Sequence, residues 1–114
     1  MHNDETDVKE FAREYFAAAI DPDQEHYIAL FSETAIVHDD GRTYRGTADV
    51  RRWRSEVPPV RYELREASGG RASCLAVAEV SGEFPGSPVA LRFSFERDEQ
   101  GLITALDIAP GIAA

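Results

Sequence analysis

Apolar residues recur at helical spacing in the first part of the chain. The i, i+3, i+4, i+7 pattern predicts an amphipathic helix over about residues 7–20, with the apolar stripe Val8, Phe11, Ala12, Tyr15 and Ala19. Asp7 followed by Glu10 resembles a capping box and predicts the start of this helix at Asp7. Because Tyr15 lies on the buried stripe, its hydroxyl needs a polar partner.

Two further short helices are predicted on either side of a hairpin. The segment Asp21-Pro22-Asp23-Gln24 predicts a helix restart, with Asp21 as the N-cap. That second helix carries the apolar stripe Tyr27, Leu30 and Phe31, and residues 32–34 are predicted to end it. A third helix is predicted from an N-cap at Thr47 to the pair Pro58-Pro59, with Val50, Trp53 and Val57 on its inner face.

Between the second and third helices the pattern changes to that of a hairpin. Residues 35–38 are predicted to form a strand, Asp40-Gly41 a two-residue turn, and residues 42–45 the returning strand. Asp39 then lies where the first strand meets the turn, and Tyr44 lies on the second strand. This segment is predicted to hold a carboxylate at the mouth of an apolar pocket.

The second half of the chain alternates between apolar and polar residues, which predicts strands. These strands are predicted over residues 60–65, 71–83, 89–96 and 102–108, with turns between them. Helices followed by a long antiparallel meander indicate one α+β domain over residues 1–114. A strongly curved sheet wrapped around three helices forms a cone, whose apolar interior is a typical site for small ligands.

The strand over residues 71–83 is apolar on both of its faces, so both faces need a cover. Leu75 and Val77 share one face, while the other carries the small residues Cys74, Ala76, Ala78 and Val80. We predict that the small-residue face lies outside the cone and mediates a homodimer. Glu79 shares the face of Leu75, and the sequence leaves open whether it points into the pocket or toward the dimer interface.

Charge and composition narrow the range of partners. The chain has 21 acidic and 12 basic residues, a net charge of −9, which disfavours binding to a nucleic acid backbone. Cys74 is the one cysteine, so neither an intrachain disulfide nor a multi-cysteine metal site is possible. The acidic N-terminus does not resemble a signal peptide, and no apolar run is long enough to span a membrane. We therefore expect a cytoplasmic protein that binds neither nucleic acid nor membrane.

Asp39 is the strongest candidate for chemistry. In an apolar pocket it would lose hydration, and its pKa would rise toward the range in which a general base operates. Alternatively, Asp39 only caps the turn that follows it. His38 suggests a metal ligand, but consecutive strand residues point to opposite faces, so His38 and Asp39 do not share a site. No metal site and no cofactor are predicted.

The order of elements, with the stretches ALFSETAIVHDDGRTYRGTADVRRW and FPGSPVALRFSFERDEQGLITALDI, resembles the nuclear transport factor two-like superfamily. The SnoaL-like and ketosteroid-isomerase-like branches are the most similar in pattern, over nearly the whole chain. The resemblance implies the cone fold. It leaves the activity open, because this fold carries isomerases, cyclases and dehydratases as well as non-catalytic binding and dimerisation modules.

The isomerases of this family imply roles for individual residues. Asp39 falls at the position of their general base, and Tyr15, in the context Arg13-Glu14-Tyr15, falls at that of the tyrosine that hydrogen-bonds the oxyanion. Their second donor, a protonated acid, corresponds to Phe93, which cannot donate a hydrogen bond. The resemblance therefore implies an incomplete oxyanion site and argues against steroid isomerisation itself.

The leading hypothesis is a protein that binds a small hydrophobic or aromatic ligand, as an isomerase or cyclase with Asp39 as base and Tyr15 as donor. The alternative is a non-catalytic ligand-binding or dimerisation module in which both residues are structural. The predicted pocket wall consists of Tyr27, Phe31, Val37, Tyr44, Trp53, Tyr62, Leu64, Phe93 and Phe95.

Overall fold

Helices occupy the first half of the chain and a single sheet dominates the second. The computed structural model describes residues 4–57 and 59–111, in which the helices are α1 (Asp4–Ala19), α2 (Gln24–Ile28) and α3 (Gly46–Glu56). The strands of that part of the chain are β1 (Phe31–Asp39), β2 (Arg42–Arg45), β3 (Val60–Gly69), β4 (Ser73–Gly82), β5 (Val89–Arg97) and β6 (Ile103–Pro110).

The sheet is curved and open, with the strand order β2-β1-β6-β5-β4-β3. Strands β3 to β6 form the predicted antiparallel meander. Strand β1, however, pairs with β6 in parallel, so the sheet is mixed rather than wholly antiparallel. A short hairpin loop would force two strands to be antiparallel. The connection from β1 to β6 is long, because it includes α3 and the other strands of the meander, so these two strands can pair in parallel. The α+β cone predicted from the sequence is confirmed.

The hairpin between β1 and β2 follows the prediction. Asp40 has φ 52° and Gly41 has φ 76°, so both turn residues are left-handed. Positive φ at both central residues is the requirement of a two-residue turn that matches the twist of paired strands. The turn fixes Asp39 opposite Arg42, at the end of β1.

Several predicted boundaries are wrong. Helix α1 begins at Asp4 rather than Asp7. Helix α2 has Asp23 rather than Asp21 as its N-cap, because the Asp23 side chain accepts a hydrogen bond from the Glu25 amide.

Two further corrections flank the site. Strand β1 already begins at Phe31, with a pairing irregularity before Ile36, so residues 32–34 do not form a break. Helix α3 begins at Gly46, so its N-cap is Arg45 and not Thr47. Asp49, in the first turn, accepts a hydrogen bond from the Arg45 amide at 3.0 Å. Pro58, predicted to end this helix, lies outside the described residues.

The two faces of β4 are the reverse of the prediction. Cys74, Ala76, Ala78 and Val80 are buried in the core that the sheet forms with the helices. The small side chains let the helices approach the sheet, so this face cannot mediate a dimer. Leu75, Val77 and Glu79 therefore lie on the outer face, and Glu79 accepts a hydrogen bond from Arg65 at 3.1 Å.

Aromatic rings fill most of the space between α1 and the sheet. Tyr15 contacts the rings of Phe16, Tyr27, Phe93 and Phe95, with centroid distances from 4.9 to 6.0 Å.

No helix within residues 4–57 and 59–111 is both long and apolar enough to cross a membrane.

Candidate functional site

A small cavity remains at one end of the cone, between α3 and the inner face of the sheet. Its volume is about 120 Å³. The side chains around it come from two helices and five strands together with the segment after α3: Tyr15, Asp39, Trp53, Arg54, Val57, Val60, Tyr62, Val80, Leu91, Phe93 and Ile108. Most of this wall is apolar, and one carboxylate, one guanidinium and two phenols are its polar groups apart from the indole N–H.

Asp39 reaches the cavity because it is the last residue of β1 and belongs to the inward-facing set that includes Val37. The indole Nε1–H of Trp53 donates a hydrogen bond to Asp39 Oδ2 at 3.0 Å. Burial raises the pKa of this carboxyl above its ordinary value, Trp53 opposes the rise, and the neighbouring charges of Asp40 and Arg54 act in opposite directions. The net result is a half-buried carboxylate with a raised pKa and a fixed orientation.

Tyr15 is buried, and its hydroxyl bonds the hydroxyl of Tyr27 at 2.7 Å. The two side chains predicted to act together, Tyr15 and Asp39, thus line one cavity while each bonds a different partner. Burial, with the nearby tyrosines, raises the pKa of Tyr15 well above its ordinary value, so it stays protonated at neutral pH. A protonated phenol in an apolar cavity is a competent hydrogen-bond donor.

Arg54 is the charged site residue that the sequence analysis missed. The analysis also missed five apolar residues of the cavity wall: Val57, Val60, Val80, Leu91 and Ile108. Its guanidinium lies over the ring of Tyr27, 4.5 Å from the centroid, and 5.4 Å from that of Trp53. Its Nη2 donates to the carbonyl oxygen of Ala19 at 2.8 Å. Burial lowers the pKa of this guanidinium, but the surrounding tyrosines raise it, and the net shift is upward, so Arg54 remains a cation.

A signal for Arg54 was present in the sequence. Position 54 follows Val50 by four residues and precedes Val57 by three, so it borders the apolar stripe of α3. The cluster Arg51, Arg52 and Arg54 nevertheless resembles a solvated face, and for the first two that description fits: Arg51 pairs with Glu25 and Arg52 with Asp49, both on the surface.

The predicted pocket wall divides into two groups. Trp53, Tyr62 and Phe93 line the cavity. The remaining members do not line it: Tyr27, Phe31, Val37, Tyr44, Leu64 and Phe95.

These six side chains lie elsewhere in the structure. Phe31, Val37 and Phe95 are sealed in the core, at 4%, 0% and 1% exposure. Tyr27 contacts Phe31 and carries the hydroxyl that bonds Tyr15, while Tyr44 lies beside the indole of Trp53, with ring centroids 5.7 Å apart. Leu64 lies at a separate hollow beside Phe16. Tyr27, Tyr44 and Phe95 therefore contact rings of the cavity wall without lining the cavity themselves.

His38 points away from the cavity, to the outer face, where its Nδ1 and the Thr43 hydroxyl lie 3.1 Å apart. Glu79, on the same outer face, is likewise excluded from the site. Among residues 4–57 and 59–111, no three or more His, Cys, Asp or Glu side chains are grouped as they would have to be to hold a metal ion.

The arrangement can move a proton. A carboxylate with a raised pKa can accept a proton from a carbon acid, while a phenol and a guanidinium can stabilise negative charge that develops on the neighbouring oxygen. The apolar wall lowers the local dielectric constant, which strengthens each of these interactions.

Solved structures from several bacteria share this fold. A "putative polyketide cyclase" from Sinorhizobium meliloti superimposes with a TM-score of 0.82 and 30% identity, over 94% of this chain and 100% of that one. A SnoaL-like protein of unknown function from Burkholderia thailandensis gives a TM-score of 0.79 at 13% identity, over 97% and 100% of the two chains.

A third structure is a hypothetical protein with a ketosteroid-isomerase-like fold from Catenulispora acidiphila, in complex with trimethylamine. It gives a TM-score of 0.77 at 16% identity, over 93% of this chain and 88% of that one. No model of a protein family matches the sequence, and no curated protein matches it.

Proposed function

The chain belongs to the nuclear transport factor two-like superfamily, in its SnoaL-like and ketosteroid-isomerase-like branch, and from that premise we propose that it binds a small lipophilic molecule and catalyses proton transfer on it. Asp39 is the general base that removes a proton from a carbon next to a carbonyl group. Tyr15 donates a hydrogen bond to the enolate oxygen that results. Isomerisation and aldol-type cyclisation both begin with this step.

One observation carries the proposal: the half-buried carboxylate of Asp39 faces an apolar cavity and has a raised pKa. A carboxylate that served only to cap the turn would be better placed in water, because burial costs free energy. Asp40, the next residue, is exposed in the turn and shows what that alternative looks like. The bond from Trp53 adds a defined orientation, which a catalytic base needs.

The volume of the cavity limits the substrate. About 120 Å³ is somewhat less than the 150 Å³ of an engineered apolar cavity that binds benzene. A steroid would not fit without large movements of the wall, and Phe93 supplies no second donor. The substrate class is therefore a compact ketone or keto acid, of the size of a single ring.

The test is exchange of α-hydrogens for deuterium in D₂O, followed by proton NMR on a panel of small ketones and keto acids. We expect the protein to accelerate exchange for some members of the panel. Asp39→Asn should lower that rate by about 10²- to 10⁴-fold, the usual contribution of a general base. Asp40→Asn is the matched control, since Asn tolerates the left-handed conformation of the turn and Asp40 does not line the cavity. The charge of Asp40 acts only on the pKa of Asp39, so this variant should change the rate far less than Asp39→Asn does.

Two results would contradict the proposal: equal exchange rates with Asp39→Asn and with the wild-type protein, or an exchange rate no higher than that in buffer alone. Either outcome favours the non-catalytic alternative. That alternative has one observation in its support, namely that the Asp39 carboxylate and the Tyr15 hydroxyl both have partners within the protein.

We also propose that the protein is a homodimer through the outer face of the sheet, where Leu75 and Val77 are half-buried apolar residues. Closed two-fold dimers are the commonest oligomers. Light scattering should give twice the monomer mass, and Val77→Lys should give the monomer. A monomer mass for the wild-type protein at micromolar concentration would refute the dimer.

A further inference from the structure

A second hollow adjoins the cavity on the side of the helix ends. It has a volume of about 270 Å³ and lies between the end of α1, the start of α2 and the end of α3. Arg54, Val57 and Val60 line both spaces, so the two hollows share a wall. We call the second hollow the vestibule. The Arg54 side chain stands at the boundary between vestibule and cavity.

The guanidinium at this boundary has no carboxylate partner in the described part of the chain. The neighbouring arginines do form ion pairs, Arg51 with Glu25 and Arg52 with Asp49. Arg54 instead contacts a backbone carbonyl and two aromatic faces. A half-buried cation without an anion is costly, and this chain has 21 acidic residues from which a partner could have been drawn.

We propose that Arg54 is the binding site for an anionic group of the ligand, so that the ligand class is a small carboxylic acid with an apolar body. The carboxylate bonds the guanidinium at the boundary, and the apolar body fills the cavity against Phe93 and Leu91. The anion site stands on the geometry of Arg54, whereas the reaction of such a ligand rests on the proposed function of Asp39.

The chemistry of the two charged groups supports a carboxylate. A guanidinium presents N–H groups in a planar fork that matches the two oxygens of a carboxylate. The contacts with Tyr27 and Trp53 hold the guanidinium plane in place, so little freedom is lost when an anion binds. Asp39 faces the same cavity, and no ion pair joins it to Arg54 among the described side chains. Arg54 can therefore bind a ligand anion while Asp39 remains free to accept a proton.

The test uses three probes of nearly the same shape: benzoate, benzamide and benzylamine, which are anionic, neutral and cationic at pH 7. Trp53 is the one tryptophan, and it lines the cavity, so its fluorescence and its indole N–H resonance report binding directly. We expect benzoate to bind about 10- to 100-fold more tightly than benzamide, the range of a charge-assisted hydrogen bond. Benzylamine should bind more weakly still.

Substitutions at Arg54 test whether this residue causes the preference for benzoate over benzamide. Arg54→Gln should abolish the difference between benzoate and benzamide, and Arg54→Lys should keep part of it because the positive charge remains. Arg52→Gln, an exposed arginine on the same helix, is the control and should bind like the wild-type protein. Circular dichroism melting of each variant establishes that it is folded. If Arg54→Gln does not fold, the comparison of probes on wild type and Arg54→Lys still decides.

Equal affinity for benzoate and benzamide, preference for benzylamine, or no saturable binding of benzoate would each overturn the anion site. The exchange experiment on neutral ketones tests the catalytic role of Asp39, and its result does not depend on any of these outcomes. Conversely, a benzoate preference that disappears in Arg54→Gln, together with no α-hydrogen exchange, would retain the anion site and refute the catalytic function.

Discussion

The two ends of the cone use similar residues for different purposes. At the sealed end, Phe11 and Phe95 pack edge to face at a centroid distance of 5.0 Å, and Tyr15, which reaches from there to the cavity, packs on Phe95 at 4.9 Å. At the cavity end, Trp53 and Tyr62 surround about 120 Å³ of open volume. Strand β5 runs through both, from Phe95 in the core to Leu91 at the cavity. One strand thus supplies stability at one end and a binding surface at the other.

An arginine closes each end. Arg97 lies 4.0 Å above the ring of Phe11 at the sealed end, and Arg54 lies over Tyr27 at the cavity end. Each of the two half-buried guanidinium groups thus has a cation–π contact with an aromatic ring. The difference is that Arg54 borders open space, which is why it, and not Arg97, is the candidate for binding a ligand.

The largest expected effect comes from breaking the sealed end. Phe95→Ala removes a ring that is 1% exposed and contacts Phe11, Tyr15 and Phe93, so we expect a loss of about 3–5 kcal/mol in the free energy of unfolding. Leu91→Ala, at the cavity end of the same strand, should cost about 1–2 kcal/mol, because its surroundings are already incompletely packed. Urea denaturation measures both. Similar losses for the two variants would mean that the ends do not differ in packing.

Much of the fold could be predicted because its signals are local. Alternation identified β5, and the Asp40-Gly41 turn fixed the hairpin that carries Asp39. The faces of β4 could not be decided in the same way. Alternation places Ala76 and Val77 on opposite faces of the strand. Because both faces are apolar, it does not indicate which of them the helices cover.

The site was only partly predictable for a related reason. The position of Asp39 follows from the hairpin, but its partner Trp53 is 14 residues away, and the partner of Tyr15 is Tyr27 on another helix. Such pairings depend on how α1, α2 and α3 pack together, which no local pattern contains. Arg54 could not be identified as a site residue because a charged residue in the cluster Arg51, Arg52 and Arg54 is typical of a solvated face, even at a position beside the apolar stripe of α3.

The next prediction concerns the hydroxyl pair between the two ends. Tyr15→Phe and Tyr27→Phe each leave the other hydroxyl buried without its partner, and each should cost about 1–3 kcal/mol. The double variant should cost less than the sum, since it leaves no unsatisfied hydroxyl. Thermal or urea denaturation of the three variants gives the coupling energy. Strict additivity would show that the two hydroxyls do not stabilise one another.

The smallest effect concerns the bond that orients Asp39. Trp53→Phe keeps an aromatic ring but removes the N–H that opposes the rise in the pKa of Asp39, so this pKa should rise further. Carbon NMR of the Asp39 carboxyl measures the change. Tyr44→Phe is the control, because Tyr44 lies beside the same indole without a bond to the carboxylate in this structure.

The sign of the accompanying stability change follows from linkage. A carboxyl whose pKa is raised in the folded state binds its proton more tightly there than in the unfolded chain. The stability that it contributes is fully present below the unfolded pKa, about 3.9, and is lost as the pH rises through the folded pKa. Trp53→Phe should extend this loss to higher pH, and the pH-dependent part of its cost should stay below about 1 kcal/mol, since the carboxylate retains contact with solvent. A cost that is independent of pH from 3 to 8, with an unchanged pKa of Asp39, would show that the indole packs against the carboxylate without controlling its proton.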